Sequence, residues 1–166
     1  MMARQVFYSF HFERDSHRVS QVKNMGVIAA QPILSSNQWE EIKKGGDSAI
    51  RRWIDTEMNG KSCLVVLIGS ATAGRKWVEY EIEKAWNDGR GVVGVYIHNL
   101  KNLFGQQSSK GSNPFSRLSL IKDDRQLSAI VKAYDPPYST STYVYEHIED
   151  HLAEWVEEAI KIRSGY

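Results

Sequence analysis

An unbroken apolar run, Cys63–Ile68, limits the fold of this chain more strongly than any other segment. Its residues, Cys-Leu-Val-Val-Leu-Ile, are all apolar and do not alternate with polar ones. Such a run predicts a strand that is buried on both faces, as at the centre of a parallel sheet. Because parallel strands need crossover connections, usually helices, the chain is expected to alternate strands with helices.

The segments on either side of this run follow that alternation. Residues 27–34 are ambiguous, and Pro32 argues against a central strand there. Residues 35–46 are predicted to be a polar loop, with or without a short helical turn. Asp47 is the predicted N-cap of the helix that follows this loop. The sequence therefore predicts an α/β fold with a parallel sheet covered on both faces. The other strands are predicted at 5–10, 92–97 and 129–134, the last at an edge, and the helices before Gly26, at 47–58, around 77–86 and at 142–162.

The composition is that of a globular protein, with 42% hydrophobic and 25% charged residues. The 166 residues predict one domain, 1–166, with its core at about 5–98 and a loop region and long helix at 99–166. A net charge of +1 favours neither nucleic acid nor an anionic membrane as a partner. No segment resembles a signal peptide or a membrane span, and the single cysteine, Cys63, is expected to be a buried inert thiol, so a cytoplasmic location is predicted.

Glu81 occupies a position on its predicted helix where an apolar residue is expected. The apolar residues of this helix share one arc at about 100° per residue: Trp77, Val78, Ile82, Ala85 and Trp86. Glu79 and Glu83 fall outside this arc, whereas Glu81 falls inside it. A carboxylate on the core side of a helix costs free energy unless it is paired or faces a cleft. Glu81 is therefore a candidate catalytic residue, and the alternative is a structural carboxylate that is salt-bridged or lies at the boundary of the core.

In open parallel sheets, ligands bind beyond the carboxyl ends of the strands, where the strand order reverses. Three segments are expected to meet there: residues 9–12, Gly69 with Ser70, and the loop after Ile97. His11 and His98 both follow strand ends, and each is either a binding residue or a hydrogen-bonded structural histidine. The long polar stretch 98–125 is predicted to be a functional loop or to contain short structure of its own.

Several familiar functional motifs are absent from the sequence. It contains no G-x-G-x-x-G, no P-loop and no G-x-S-x-G, and its first strand lacks the endings typical of receiver and flavin-binding domains. His147 and His151 have a spacing that suits zinc, but no third ligand is indicated, and a solvated or capping role is predicted. The charged residues of 39–44 are expected to form a solvated face, or to gate a site as a mobile loop.

Taken in chain order, these segments resemble a TIR domain over about residues 5–98. Residues 6–11, Val-Phe-Tyr-Ser-Phe-His, resemble the first strand of the family, and residues 64–70, Leu-Val-Val-Leu-Ile-Gly-Ser, resemble its central strand with a terminal serine. The most specific part is 77–82, Trp-Val-Glu-Tyr-Glu-Ile, which resembles the W-[VC]-x-x-E-[IL] helix. The remaining third, with the loop at 111–115, resembles the divergent TIR-like group that includes the TIR-like subunits of bacterial Thoeris anti-phage systems. The resemblance implies a TIR-like, flavodoxin-like three-layer sandwich with a central, mostly parallel sheet.

The same resemblance implies that NAD is cleaved at its nicotinamide–ribose bond, with Glu81 as the catalytic glutamate. Carried over by motif, Ser9, Phe10 and His11 lie near nicotinamide and its ribose, and His11 stands where many catalytic members have arginine. Ser70 and Trp77 are further candidate binding residues. NAD is implied as the substrate, with no other cofactor and no metal.

The Thoeris-like group carries further functional expectations. Its TIR-like subunits make cyclic or modified ADP-ribose signals on sensing phage, and these signals activate a separate effector. The resemblance therefore implies indirect coupling to an effector, and it makes self-association and a phage-derived trigger further expectations. The alternative from a different class is a non-catalytic TIR-type module for protein–protein interaction.

Overall fold

The computed structural model describes residues 4–119 and 125–166, which contain one parallel sheet and the helices that cover it. The strands are β1 Gln5–Ser9, β2 Ala29–Ala30, β3 Cys63–Ile68, β4 Gly91–Tyr96 and β5 Ala133–Tyr134. The α-helices are α1 Phe12–Asn24, α2 Ser36–Lys43, α3 Gly46–Met58, α4 Lys76–Asn87 and α5 Ser141–Arg163. Short 3-10 helices span Pro114–Arg117 and Leu127–Ala129.

The sheet has the order β2-β1-β3-β4-β5, and each neighbouring pair of strands is parallel. β3 is the middle strand and is buried along its whole length, as its unbroken apolar sequence predicts. The chain runs outward from β1 to β2 and then returns to β3 on the other side of β1, so the strand order reverses between β1 and β3. This arrangement confirms the predicted α/β fold class.

Two apolar cores lie on opposite faces of the sheet. Val65 and Leu67 of β3 face the core formed with α1 and α5, whereas Leu64 and Val66 face the core formed with α3 and α4. This division follows from the alternation of side chains along a strand. The result is a three-layer sandwich, and burial of each large apolar side chain stabilises it by about 1.5–3 kcal/mol.

Residues 36–43 form the helix α2, so the prediction of a polar loop at 35–46 was wrong. The Ser35 hydroxyl accepts a hydrogen bond from the Gln38 backbone N–H, and the Gln38 side chain accepts one from the Ser35 N–H, which together make a capping box. No residue of α2 is buried, which explains why no apolar stripe indicated this helix. The next helix has Gly45 as its N-cap, so Asp47 lies in the first turn of α3 and not at the predicted N-cap position.

The last helix, α5, buries the predicted apolar stripe, but its two histidines differ from expectation. The rings of His147 and His151 are stacked with centroids 4.1 Å apart, and Trp155 continues the stack. His151 Nδ1 donates a hydrogen bond to the His147 carbonyl oxygen at 2.7 Å. The two histidines are therefore packing partners in the middle of a helix and not caps. No helix within 4–119 or 125–166 is both long enough and apolar enough to cross a bilayer.

Gln31 continues the pairing of β1 with β2 through its side chain. β2 ends at Ala30, and the Gln31 amide group accepts a hydrogen bond from the Tyr8 N–H at 2.9 Å and donates one to the Tyr8 carbonyl at 2.8 Å. Gln31 is only 2% exposed, so both bonds are shielded from water. The side chain thus completes the backbone hydrogen bonding at the carboxyl end of β1.

Gln31→Leu is expected to lower the free energy of unfolding by about 2 kcal/mol or more, because two buried backbone groups of Tyr8 lose their partners. Denaturant unfolding measures this loss. Gln21→Leu is the matched control, since Gln21 makes one exposed hydrogen bond to the Lys101 carbonyl and should change stability by only about 0.5 kcal/mol. Equal losses in the two variants would contradict this role of Gln31.

Candidate functional site

A cavity of about 450 Å³ lies beyond the carboxyl end of β1, on the side of the sheet where α4 begins. Its walls come from residues 10–13 after β1, residues 31–34 after β2, the α2 side chains Trp39 and Lys43, and residues 74–78 together with Glu81 of α4. This is the crevice at which the strand order reverses, the usual place for a ligand in an open parallel sheet. The sequence prediction located the ligand site at the same edge.

Glu81 is 7% exposed and lines this cavity. Its Oε1 accepts a hydrogen bond from Ser9 Oγ at 2.6 Å. Burial raises the pKa of Glu81 to about 8, and the Ser9 hydrogen bond offsets a smaller part of that shift. In the described ranges no cationic side chain pairs with it, which argues against a salt-bridged structural carboxylate. The carboxyl is therefore mostly neutral at pH 7, and a cation placed beside it would favour its ionised form.

The contact between Ser9 and Glu81 joins residues 72 positions apart in the sequence. Ser9 is the last residue of β1 and pairs in register with Val66 of β3. Its side chain points to the same face as that of Phe7, which packs in the core formed with α3 and α4. Glu81 lies on the inward arc of α4, as its helical periodicity predicts, so the two side chains meet at the end of β1.

Aromatic rings form much of the cavity wall. Phe12 and Trp39 have ring centroids 5.6 Å apart, and Trp39 meets Trp53 edge-on at 6.5 Å. Phe10 packs against Phe12 at 6.2 Å, and Trp77 is a half-buried member of the same wall. A flat apolar ring can stack against such a surface while the carboxyl of α4 remains within the same cavity.

His11 is 7% exposed and also lines the cavity. Its buried Nδ1 makes no hydrogen bond with the described residues and lies 3.4 Å from Glu13 Oε2. Burial, followed by the positive charge of Arg75, lowers the pKa of His11, so the ring is neutral at pH 7. A neutral imidazole can donate or accept a hydrogen bond from a ligand. His98, by contrast, packs edge-on against Tyr96 and does not line the cavity.

Ser70 lies outside the cavity, although the sequence grouped it with the binding residues. Gly111 in the loop after β4 lies so close to the end of β3 that a Cβ atom at position 111 would overlap the Gly69 carbonyl oxygen and crowd that of Ser70. The loop therefore covers the end of β3 and does not contribute to the cavity wall. The structure brings together Phe10, His11, Trp77 and Glu81, with Ser9 hydrogen-bonded to Glu81, and leaves Ser70 apart.

Other residues of the cavity wall were not predicted as site residues. Lys43 was among the charged residues assigned to a solvated face or to a gate, and Trp39 received no assignment. The helix that carries both has no buried residue. The capping box at Ser35 and Gln38 was the sequence signal for that helix. Arg75 is two residues before Trp77, but its place beside the cavity follows from the turn at Gly74, where φ is +82°.

Comparison with known proteins relates this chain to a family of TIR-like proteins. Residues 7–102 match the family described as "Thoeris protein ThsB, TIR-like domain". A relative from Bacillus cereus (strain MSX-D12), named "Putative cyclic ADP-D-ribose synthase ThsB1", is 39% identical over 133 residues. That alignment covers 76% of this chain and 69% of the relative. Every residue that lines the cavity lies within the segment matched by the family.

Proposed function

This chain belongs to the family of Thoeris ThsB TIR-like proteins, and from this premise we propose that it cleaves NAD between nicotinamide and ribose. The ADP-ribose part would become a cyclic or modified signal molecule, in keeping with the name of the relative. The observation that carries the proposal is Glu81, a buried carboxyl that lines an aromatic cavity and has Ser9 as its hydrogen-bond partner.

The chemistry of this cleavage suits one buried carboxylate. When the N-glycosidic bond breaks, its electron pair moves to the nicotinamide nitrogen, and positive charge develops on the ribose. Ionised Glu81 stabilises that charge, as carboxylates do in glycoside hydrolysis. Nicotinamide leaves as a neutral molecule and needs no proton, so a partner general acid is not required. The cationic nicotinamide ring of bound NAD also favours the ionised form of Glu81.

The fate of the ADP-ribose part depends on which group attacks the anomeric carbon. A hydroxyl or ring nitrogen of the same molecule gives a cyclic product, whereas water gives linear ADP-ribose. With NAD bound, the aromatic side chains around the cavity, Phe10, Phe12, Trp39 and Trp77, would limit the access of water and so favour the intramolecular attack. A signal made in this way would activate a separate effector in anti-phage defence. A phage-derived trigger and self-association belong to the same proposal.

Nicotinamide release and product mass, measured with NAD as substrate, test the proposal. Wild type, Glu81→Gln and the matched control Glu83→Gln are compared at high protein concentration and in lysates of phage-infected cells. Glu83 is on the same helix but is exposed and outside the cavity. We expect release from wild type and the control only, with a product lighter than ADP-ribose by one water if it is cyclic. Folded wild type that releases nothing under either condition would favour the interaction module.

The pH dependence of turnover gives a second test. The kcat/KM for nicotinamide release is expected to rise with pH and reach half its maximum near pH 8, because it follows the ionised fraction of Glu81, whose pKa burial raises to about 8. Ser9→Ala removes the hydrogen bond that favours ionisation, so the midpoint should move upward by roughly 0.5–1 pH unit.

Ser70→Ala is the control for this pH profile, since Ser70 does not line the cavity and its loss should leave the midpoint in place. A wild-type midpoint near 4.5, the ordinary value for glutamate, would show that the ionisation of a buried Glu81 does not control the rate.

A further inference from the structure

Three cationic side chains lie on the cavity wall: those of Lys43, Arg75 and Lys76. Lys43 pairs with Glu40 at 2.9 Å, and Lys76 pairs with Asp47 at 2.5 Å. Within residues 4–119 and 125–166, the exposed Arg75 side chain has no hydrogen-bond or ion-pair partner. Arg75 is therefore the cation of this wall whose charge is available to an anionic ligand.

Arg75 is also the N-cap of α4, and no side chain caps that helix. The first hydrogen bond of the helix runs from the Glu79 N–H to the Arg75 carbonyl at 2.9 Å. The backbone N–H groups of residues 76–78 precede this bond and are the donors that a helix leaves without internal partners. These residues line the cavity, so their donors and the positive end of the helix dipole lie beside it.

A separate observation points to a ligand at the same wall. His11 is only 7% exposed and lines the cavity. Its Nδ1 is buried, makes no hydrogen bond with residues 4–119 or 125–166, and lies 3.4 Å from Glu13 Oε2. Arg75 and His11 line the same cavity, and the positive charge of Arg75 adds to burial in lowering the pKa of His11. A buried polar nitrogen without a partner costs about 1–3 kcal/mol, so a ligand that reorients this ring toward the cavity would gain that hydrogen bond.

We propose that Arg75 and the first turn of α4 bind the diphosphate of a nicotinamide dinucleotide, with His11 hydrogen-bonded to the phosphate or to the adjoining ribose. This inference rests on the proposed function and names the part of the substrate that this wall recognises. Glu81 is six residues after Arg75, roughly 9 Å further along the helix axis. α4 thus holds the phosphates at its first turn and the reacting ribose carbon one and a half turns further on.

Two properties follow from this arrangement. Substrates need phosphate on the 5′ side of the nicotinamide ribose, so nicotinamide riboside should be cleaved far less efficiently than NAD. The same contacts hold the ADP-ribose part after nicotinamide has left, which gives the second bond of a cyclic product time to form. Arg75 therefore contributes to binding and retention, while Glu81 acts on the breaking bond.

Titration calorimetry with ADP-ribose tests this subsite without any turnover. Arg75→Gln is expected to weaken ADP-ribose binding about tenfold or more, the effect of losing a charge-assisted contact. Arg52→Gln is the matched control, because Arg52 is exposed on α3 and outside the cavity wall, and its loss should leave the affinity unchanged. In turnover, Arg75→Gln should raise the KM for NAD by a similar factor and change kcat by only about twofold.

The outcomes separate this inference from the proposed function. Unchanged ADP-ribose affinity in Arg75→Gln, or a wild type that does not bind ADP-ribose, overturns the subsite. Nicotinamide release that requires Glu81 but is indifferent to Arg75 leaves the proposed reaction standing and removes the subsite. If ADP-ribose binding requires Arg75 but the protein releases no nicotinamide, the subsite stands and the proposed reaction does not.

Discussion

Glu81→Gln is expected to raise the free energy of unfolding at pH 8 and above while it abolishes nicotinamide release. Burial raises the pKa of Glu81 from 4.5 to about 8, so between these pH values the folded protein holds a proton that the unfolded chain releases. Wild type therefore loses stability as the pH rises through this range, whereas glutamine has no proton to lose. The gain above pH 8 is on the order of a few kcal/mol, since each unit of pKa shift corresponds to about 1.4 kcal/mol.

Urea unfolding at pH 5, 7 and 9 measures this effect. The stability of Glu81→Gln relative to wild type should increase between pH 5 and 8 and then level off, and Glu83→Gln should show no such trend, because Glu83 is exposed. Nicotinamide release should fall by about a thousandfold or more in Glu81→Gln, as when a group that stabilises transition-state charge is removed. A variant less stable than wild type at every pH would instead identify Glu81 as a structural partner.

Arg18→Met is expected to lower the free energy of unfolding by about 3–5 kcal/mol, the cost of leaving a buried charge without its partner. Arg18 Nη1 donates to Asp15 Oδ1 at 2.9 Å, and both side chains are almost fully buried. The same guanidinium donates to the carbonyl oxygens of Leu100 and Gln106, so it fastens the loop after β4 to α1. Those two carbonyl groups also lose a partner in the variant.

Denaturant unfolding of Arg18→Met, of Arg14→Met and of the double variant Asp15→Asn with Arg18→Met tests this role. Arg14 is exposed on the same helix, so its substitution should cost about 0.5 kcal/mol or less. The Asp15 carboxylate lies against Gly69. The double variant should recover part of the loss, because asparagine at position 15 leaves no uncompensated charge there. If Arg18→Met were no more damaging than Arg14→Met, the buried pair would not hold this loop in place.

The sequence predicted the elements of the fold that bury a regular apolar pattern. The unbroken apolar run of β3 indicates burial on both faces, and the apolar arc of α4 indicates which side of the helix faces the core. Both elements were therefore predicted with nearly the observed bounds. α2 has no buried residue, and the signal for it in the sequence was the capping box between Ser35 and Gln38, which was weaker than the polar composition around it.

Only those features of the candidate site that depend on the period of one helix or on the type of sheet could be predicted from the sequence. The inward position of Glu81 follows from the period of one helix, and the cavity edge follows from the rule for parallel sheets. The hydrogen bond from Ser9 depends on β1 lying beside β3, and the exclusion of Ser70 depends on the close approach of Gly111. These contacts join residues that are far apart in the sequence, so the local sequence pattern around each residue does not predict them.

Because Glu81 is mostly neutral at pH 7, binding of a cationic ligand beside it is linked to the release of a proton. If the cationic ring of NAD binds the ionised carboxylate, each binding event must expel close to one proton into the buffer, because the pKa of the unliganded group is about 8. The heat of binding would then vary with the ionisation enthalpy of the buffer. Protons would compete with NAD for the same carboxylate, so the affinity for NAD is expected to fall as the pH is lowered.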